Sequence, residues 1–184
     1  RAPMILVVLV ACLGGCAQTE PGAALPVFSS PALNPSAEIT RIAFGSCAKP
    51  ENDQRMFDTI LSRDPDVFLF IGDNVYAPND LDPSLAGLRA QYQLLGESAP
   101  FARLRKRVPL LVTWDDHEVE NDYANDRSEN NDDPLWFLQR RAAAYKAYYE
   151  HMPLRRTMVP LGPHMRIHTR IDFGTLAAFY MLDD

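Results

Sequence analysis

An α/β fold built on a parallel sheet is the class this sequence predicts, and three observations predict it. Asp66–Ile71 (DVFLFI) and Val108–Trp114 (VPLLVTW) are nearly unbroken apolar, β-prone runs, the pattern of strands buried on both faces of a sheet. A segment with helical spacing precedes each of them, so strands and helices alternate as in parallel crossover units. Each run ends within one residue in groups that carry chemistry, and in open α/β sheets that edge is where ligands sit.

The 184 residues have room for one domain of ordinary size, and 47% apolar against 23% charged residues is the balance of a globular core. The net charge of −6 argues against a general basic face, so specific nucleic-acid binding is not expected. An anionic substrate would have to be attracted by something other than surface charge, and bound metal is the simplest candidate. Met4–Leu13 is an apolar run of signal-peptide length, too short to span a bilayer. Leu13-Gly14-Gly15-Cys16 resembles a bacterial lipobox, in which the peptide is cut before the cysteine and lipid is attached to it. Residues 1–15 are therefore expected to be a lipoprotein signal peptide, with lipidation at Cys16. Residues 16–37, punctuated by Pro21, Pro26, Pro31 and Pro35, read as an extended tether. The expectation is an exported bacterial lipoprotein, anchored to the membrane and facing the periplasm or the cell exterior. The chain opens on Arg1 and stops directly after a strand-like run, which gives the further expectation of a fragment of a longer protein. With Cys12 in the signal peptide and Cys16 lipidated, Cys47 has no intrachain disulfide partner, and burial or metal ligation remain as its two readings.

The domain itself is expected over residues 38–184. Ile39–Phe44 alternates loosely as a first strand and runs into Gly45-Ser46-Cys47. Asp53 is placed to cap a short helix whose apolar face is Met56, Phe57, Ile60 and Leu61, stopped by Pro65. The Asp66–Ile71 strand follows and ends in Gly72-Asp73-Asn74-Val75-Tyr76, where Gly72 permits a sharp turn. Ser84–Gly96 is helical, with Leu85, Leu88, Tyr92 and Leu95 on one side, and Phe101–Arg107 is a short basic helix whose Arg103, Arg105, Lys106 and Arg107 read as a solvated face. After the strand ending at Trp114 come a polar loop, Asn121–Asp133, and a long helix opened by Asp133-Pro134. Leu135, Leu138, Ala142, Tyr145, Tyr149 and Met152 step along it as an apolar core stripe, and His151 lies at its C-terminal end, where an imidazolium is favourable. Arg166–Asp172 and Thr175–Met181 alternate as a hairpin around Phe173-Gly174, with His164 and His168 as surface or strand residues.

The densest chemistry is Asp115, Asp116, His117, Glu118, Glu120 and Asp122, six such residues crowded directly after a buried strand. Acid runs are usually solvated loops, but solvation does not explain why this one begins where the apolar run stops. Adjacent carboxylates and an imidazole suit holding a hard cation and moving a proton. Parallel strands bring their C-terminal ends to one edge, so Cys47, Asp73 with Tyr76, and Asp116 with His117 are expected to converge. Carboxylate, phenolate and thiolate suit a Lewis-acidic ion such as Fe³⁺, while carboxylates and amides suit Ca²⁺, Mg²⁺ or Mn²⁺.

FGSC, DPDVFLFIGDNVY, TWDDHEVENDY and the terminal FYMLDD, in this order and spacing, resemble the PhoD-type alkaline phosphatases of the calcineurin-like metallophosphatase superfamily. The resemblance runs from about Ile39 to Asp184. It implies a layered α/β/β/α sandwich of which the N-terminal part is present. It also implies hydrolysis of phosphate monoesters or diesters outside the cytoplasm by a water activated between two metals. Gly72, Asp73 and Tyr76 match a GD-x-x-Y motif similar to that in which Tyr binds ferric iron, as in purple acid phosphatases. Asp115 to Glu118 match the superfamily's G-N-H-D/E, with Asp116 where Asn is usual, which makes Asn121 the candidate amide. On this resemblance Asp73 would bridge the metals, Cys47 and Tyr76 would bind Fe³⁺, and Asp116 would bind Ca²⁺, or Mg²⁺ or Mn²⁺ in its place. His117 would stabilise the transition state or protonate the leaving oxygen, and Glu118 would orient a neighbour. Further histidine-rich metal motifs of the family lie beyond Asp184, so the chain would carry about half the site. An exported solute-binding lipoprotein shares the leader and tether, and an inactive half-domain is the other alternative.

Overall fold

The computed structural model describes residues 27–34, 36–77 and 84–183. The expected signal peptide, the lipidation site Cys16 and the first part of the tether lie outside them. Among the described residues the order is β1 (Ile42–Gly45), α1 (Met56–Leu61), β2 (Val67–Ile71), α2 (Leu85–Glu97), α3 (Ala99–Arg107), β3 (Leu110–Thr113), α4 (Pro134–His151), β4 (Thr169–Phe173) and β5 (Ala177–Met181). β1, β2 and β3 form a parallel sheet with β2 in the middle, Ile42 opposite Val67 and Phe68 opposite Leu110. β4 and β5 pair antiparallel as a separate hairpin.

The unbroken apolar run of β2 is explained by what covers its two faces. Successive side chains of a strand point to opposite sides. Phe68 and Phe70 enter the large core beneath the helices, while Val67 and Leu69 enter a second core with Ile39, Ile171, Phe173 and Met181. Helices, parallel sheet and hairpin are thus three successive layers of the expected α/β/β/α sandwich. On the helical side, Phe57 of α1 and Phe101 of α3 meet the β2 rings at centroid distances between 6.0 and 6.2 Å, and each other at 5.2 Å. Tilted and edge-on pairs of this kind add to plain area burial. The N-terminal ends of β1 and β2 are joined by Asp66, whose carboxylate accepts from the backbone N–H groups of Thr40 (2.7 Å) and Arg41 (2.8 Å). Those bonds hold its carboxyl below the usual range.

Helix starts follow sequence chemistry in three cases of four. The side chains of Ser84, Ser98 and Asp133 accept from the N–H groups of Gly87, Phe101 and Leu135, and Pro134 sits in the first turn of α4. The fourth is a correction: α1 begins at Met56 without a side-chain cap, and Asp53 instead accepts from Arg55 N–H in the turn ahead. The carboxylate lies too far upstream and is captured locally. The basic face of α3 is solvated as expected at Arg103, Lys106 and Arg107, and Arg103 is held by a two-point ion pair to Asp58. That helix runs into the N-terminal end of β3, on the opposite edge from the strand tips.

Two further expectations are corrected. The buried face of α4 is Phe137, Arg140, Arg141, Ala144, Tyr145, Ala147, Tyr148 and His151, rotated from the expected stripe; Leu135 is 69% exposed. His151 is the last residue of α4, as expected, but it is not the imidazolium that a helix end favours. It is buried, stacks on Tyr92 at 4.9 Å and places Nδ1 2.7 Å from the Ala147 carbonyl. Burial holds its pKa below the ordinary value of 6.5. The reason is the chain expected as tether, because the domain begins earlier than residue 38. Val27 and Phe28 donate their N–H groups to the carbonyls of Glu150 and His151, and the Phe28 ring packs on Phe101 and His151. An added Cβ on Gly96 would lie 2.8 Å from that ring, so a glycine in the last turn of α2 makes room for it.

A neutral buried histidine makes stability depend on pH with a definite sign. Below pH 6.5 the unfolded chain takes up a proton that the folded protein refuses, so stability falls as pH drops from that value toward the lowered folded one. Urea midpoints measured from pH 7.5 down to 5.5 should therefore decline more steeply in the wild type than in His151→Gln. Parallel declines would show that His151 does not carry the acid sensitivity.

Candidate metal centre and active site

All three parallel strands deliver their C-terminal ends to one edge, and backbone bonds pin those ends together. Cys47 N–H donates to Gly72 O (3.3 Å) and Ala48 N–H to Asp73 O (3.0 Å), joining the tip of β1 to that of β2. Ala77 N–H donates to His117 O at 2.8 Å, joining the β2 tip to the loop after β3. Cys47 and Asp73 both adopt left-handed backbone, with φ of 59° and 49°. Outside glycine such conformations cost about 1–3 kcal/mol each and mark functional constraint. Gly72, with φ of 98°, is held closer still: a Cβ there would lie 2.6 Å from Asp115 Cβ.

The side chains meet on Asp73, which is 7% exposed. Its Oδ2 accepts from Cys47 Sγ (3.4 Å) and Tyr76 Oη (3.2 Å), while its Oδ1 is buried with no hydrogen-bond partner among the described residues. Ligand atoms of Asp73, Asp116 and His117 all lie within 4.8 Å of one another. The His117 ring lies against that of Tyr76 at 4.2 Å, and Lys49, which carries no motif signal, places its ammonium 5.7 Å from the Tyr76 centroid. Burial, and after it the charge of Asp73, raises the Tyr76 phenol above its ordinary range.

Glu118 positions this cluster. It closes the 3-10 turn Asp116–Glu118, where it forms a capping box with Asp115. Its carboxylate, 1% exposed, accepts from the N–H groups of Asp115 (2.9 Å), Asp73 (3.2 Å) and Asn74. Burial pushes its pKa up to about 8, against the pull of those donors. The neighbouring loop is fixed by Arg140, fully buried, whose Nε donates to Val119 O at 2.7 Å and lies 3.5 Å from Glu120.

Of the residues singled out from sequence, the structure brings Cys47, Asp73, Tyr76, Asp116 and His117 to one place. Asn121 has its amide on the carboxylates of Asp122 (2.7 Å) and Glu129 (3.2 Å). Asp122 N–H donates to Asp116 Oδ2 at 2.5 Å, so Asn121 adjoins the cluster with its side chain engaged elsewhere. His168 accepts from Arg166 on the surface, and His164 is exposed. Sequence reasoning passed over Asn74, fully buried with both amide atoms unpartnered among the described residues. It also passed over Arg141, whose signal was its position in register with Phe137 and Ala144 on the apolar face of α4.

A family model described as PhoD-like phosphatase matches residues 42–184. The chain belongs to the PhoD-like phosphatase family. It is 34% identical over 171 residues to alkaline phosphatase D of Bacillus subtilis (strain 168), covering 81% of this chain and 29% of that protein. A solved structure titled "Structure of PhoD" superposes with a TM-score of 0.74 at 33% identity, over 84% of this chain and 33% of that one. The chain thus spans about a third of the PhoD-like relatives it matches.

Gly72 is the position where this geometry is least tolerant. Gly72→Ala forces both a left-handed alanine and a clash with Asp115, and should destabilise the fold by at least about 1–3 kcal/mol. Chemical denaturation checks this. A change under about 0.5 kcal/mol, the level of an ordinary surface substitution, would contradict the tight junction of the β2 and β3 tips.

Proposed function

We propose that this chain supplies part of the active site of a metal-dependent phosphate-ester hydrolase, acting on monoesters, diesters or both. The observation that carries the reading is the convergence of Cys47, Tyr76, Asp116 and His117 on Asp73, whose Oδ1 is buried without a partner. A buried carboxylate oxygen lacking a donor is costly, and a cation satisfies it. The donor set fits two kinds of ion: Asp73, Tyr76 and Cys47 would hold one of Fe³⁺ character, and Asp73 with Asp116 a harder divalent one such as Ca²⁺, Mg²⁺ or Mn²⁺. Bound ions would supply positive charge for the phosphate oxygens and lower the pKa of water toward neutrality.

The chain's own groups do the rest. Asp73 would belong to both ligand sets, and its left-handed turn fixes its direction. His117, half-buried and held against the Tyr76 ring, would give a proton to the leaving oxygen. Lys49 adds a cation beside Tyr76. Glu118, closed in by backbone donors, orients the tip loops and takes no part in proton transfer.

Asp73 and His117 should fail differently in the full-length protein. Asp73→Asn keeps a residue type that accepts left-handed backbone but removes a negative charge, so metal content and rate should both fall. His117→Gln should keep most of the metal and lose about 10²–10⁴-fold in kcat. The loss should be smaller for p-nitrophenyl phosphate, whose leaving group needs no proton, than for an alkyl phosphate. Equal losses on both esters would remove the acid role, and full activity of Asp73→Asn would overturn the metal-dependent reading.

Export and anchoring belong to the same proposal: cleavage before Cys16, lipidation there, and action outside the cytoplasm. No described helix is long and apolar enough to cross a membrane. A single acyl chain holds only weakly, so more than one is expected. Mass spectrometry of the mature protein should find the N-terminus at a lipidated Cys16, and an unmodified N-terminus at another residue would refute it.

A further inference from the structure

A cavity of about 520 Å³ opens beside the metal candidates, with Asp116 in its wall. The volume is that of a small-molecule site, roughly 300–1,000 Å³, and exceeds what a phosphoryl group alone fills. Tyr123, Tyr145 and Arg141 also line it. Arg141, 6% exposed, projects from the buried face of α4, donates from Nη1 to the Asn125 carbonyl and lies 6.0 Å from the Tyr145 centroid. Its Nε is buried without a partner among the described residues. Among the described residues no carboxylate forms an ion pair with it, whereas Arg140 beside it is matched with Glu120. A guanidinium cannot shed its proton, and a buried N–H donor without an acceptor is costly. The two other carboxylates in the wall have tasks of their own: Asp115 caps the 3-10 turn, and Asp183 accepts from Trp114 Nε1 at 3.0 Å.

We propose that this cavity receives the part of the ester that is not transferred, and that Arg141 binds a second anionic group on it. The favoured substrates are then phosphate esters whose leaving group carries a carboxylate or another phosphate. The planar guanidinium suits either, through paired N–H donors. The wall is stiff enough to discriminate, because Tyr145 lies flat on Trp114 at 4.5 Å with 4° between the planes. The inference rests on the phosphoesterase reading and adds a substrate class to it.

The test compares phenyl phosphate with 4-carboxyphenyl phosphate on the full-length protein as wild type, Arg141→Gln and Arg141→Lys. The wild type should prefer the carboxylated ester. Arg141→Gln should reduce the ratio of kcat/KM values about tenfold, mainly through KM, and Arg141→Lys should retain part of it. Calorimetry with 4-hydroxybenzoate reads the subsite without turnover, and its binding should weaken by a similar factor in Arg141→Gln. No preference in the wild type, or an unchanged ratio in the variants, overturns the inference. Should Arg141→Gln fail to fold, the wild-type preference and the lysine variant decide. Turnover of neither ester counts against the phosphoesterase reading, and the calorimetric comparison still judges Arg141.

Discussion

One buried carboxylate sets the geometry on which the site depends. Glu118 reaches from the turn after β3 to backbone N–H groups at the end of β2 and at its own turn's start. Strand pairing alone aligns β2 and β3 only as far as Ile71 and Thr113. Beyond that the chain must leave the ladder, and the freed N–H groups need acceptors. Glu118 provides them at a position where water cannot. In doing so it holds the left-handed turn of Asp73 against the residues that present Asp116 and His117. Gly72 is the other side of this constraint, since only a residue without Cβ fits against Asp115.

Below the junction, β2 transmits the constraint to the core. Its phenylalanines are locked among the rings of α1 and α3, and its alternate residues are locked against the hairpin. A strand covered on both faces cannot shift register by one residue without exchanging its two sets of side chains, so the tip residues are fixed in height as well as direction. The hairpin also reaches the site. Thr113 Oγ1 donates to the Leu182 carbonyl at 2.8 Å and Trp114 Nε1 to Asp183, which carries the chain after β5 to the sheet edge.

The sheet and the converging tips are legible in the sequence because both depend on strong local contrasts, apolar runs that stop at Gly72 or Asp115. Parallel order then follows from the intervening helices, and convergence from parallel order. The face of α4 is not legible in the same way. Apolar residues surround that helix, so periodicity fixes its existence and not its rotation, and the two arginines on its buried face run against any hydrophobic pattern. Their burial is decided by distant acceptors, the carbonyls of Val119 and Asn125. The same holds for Asn121, whose amide is drawn to adjacent acids, and for Phe28, buried only because α2 and α4 leave a gap beside a glycine.

The electrostatics of the edge give the arrangement its direction. Asp73, Asp115, Asp116 and Glu118 stand within a few residues of two strand tips, and backbone donors answer only part of their charge. Glu118 and Asp115 are answered by N–H groups within and beside their own turn. Among the described residues, Asp73 receives a thiol and a phenol on one oxygen and nothing on the other. Burial and the Asp73 charge both oppose ionisation of Tyr76, so carboxylate and phenolate together are unfavourable as the chain stands. A cation reverses each of these terms at once, because it stabilises every anion that disfavours its neighbour. The fold thus keeps these groups in place by strand register, by Glu118 and by the bonds of Cys47 and Tyr76 to Asp73, in an arrangement that a bound cation would relieve.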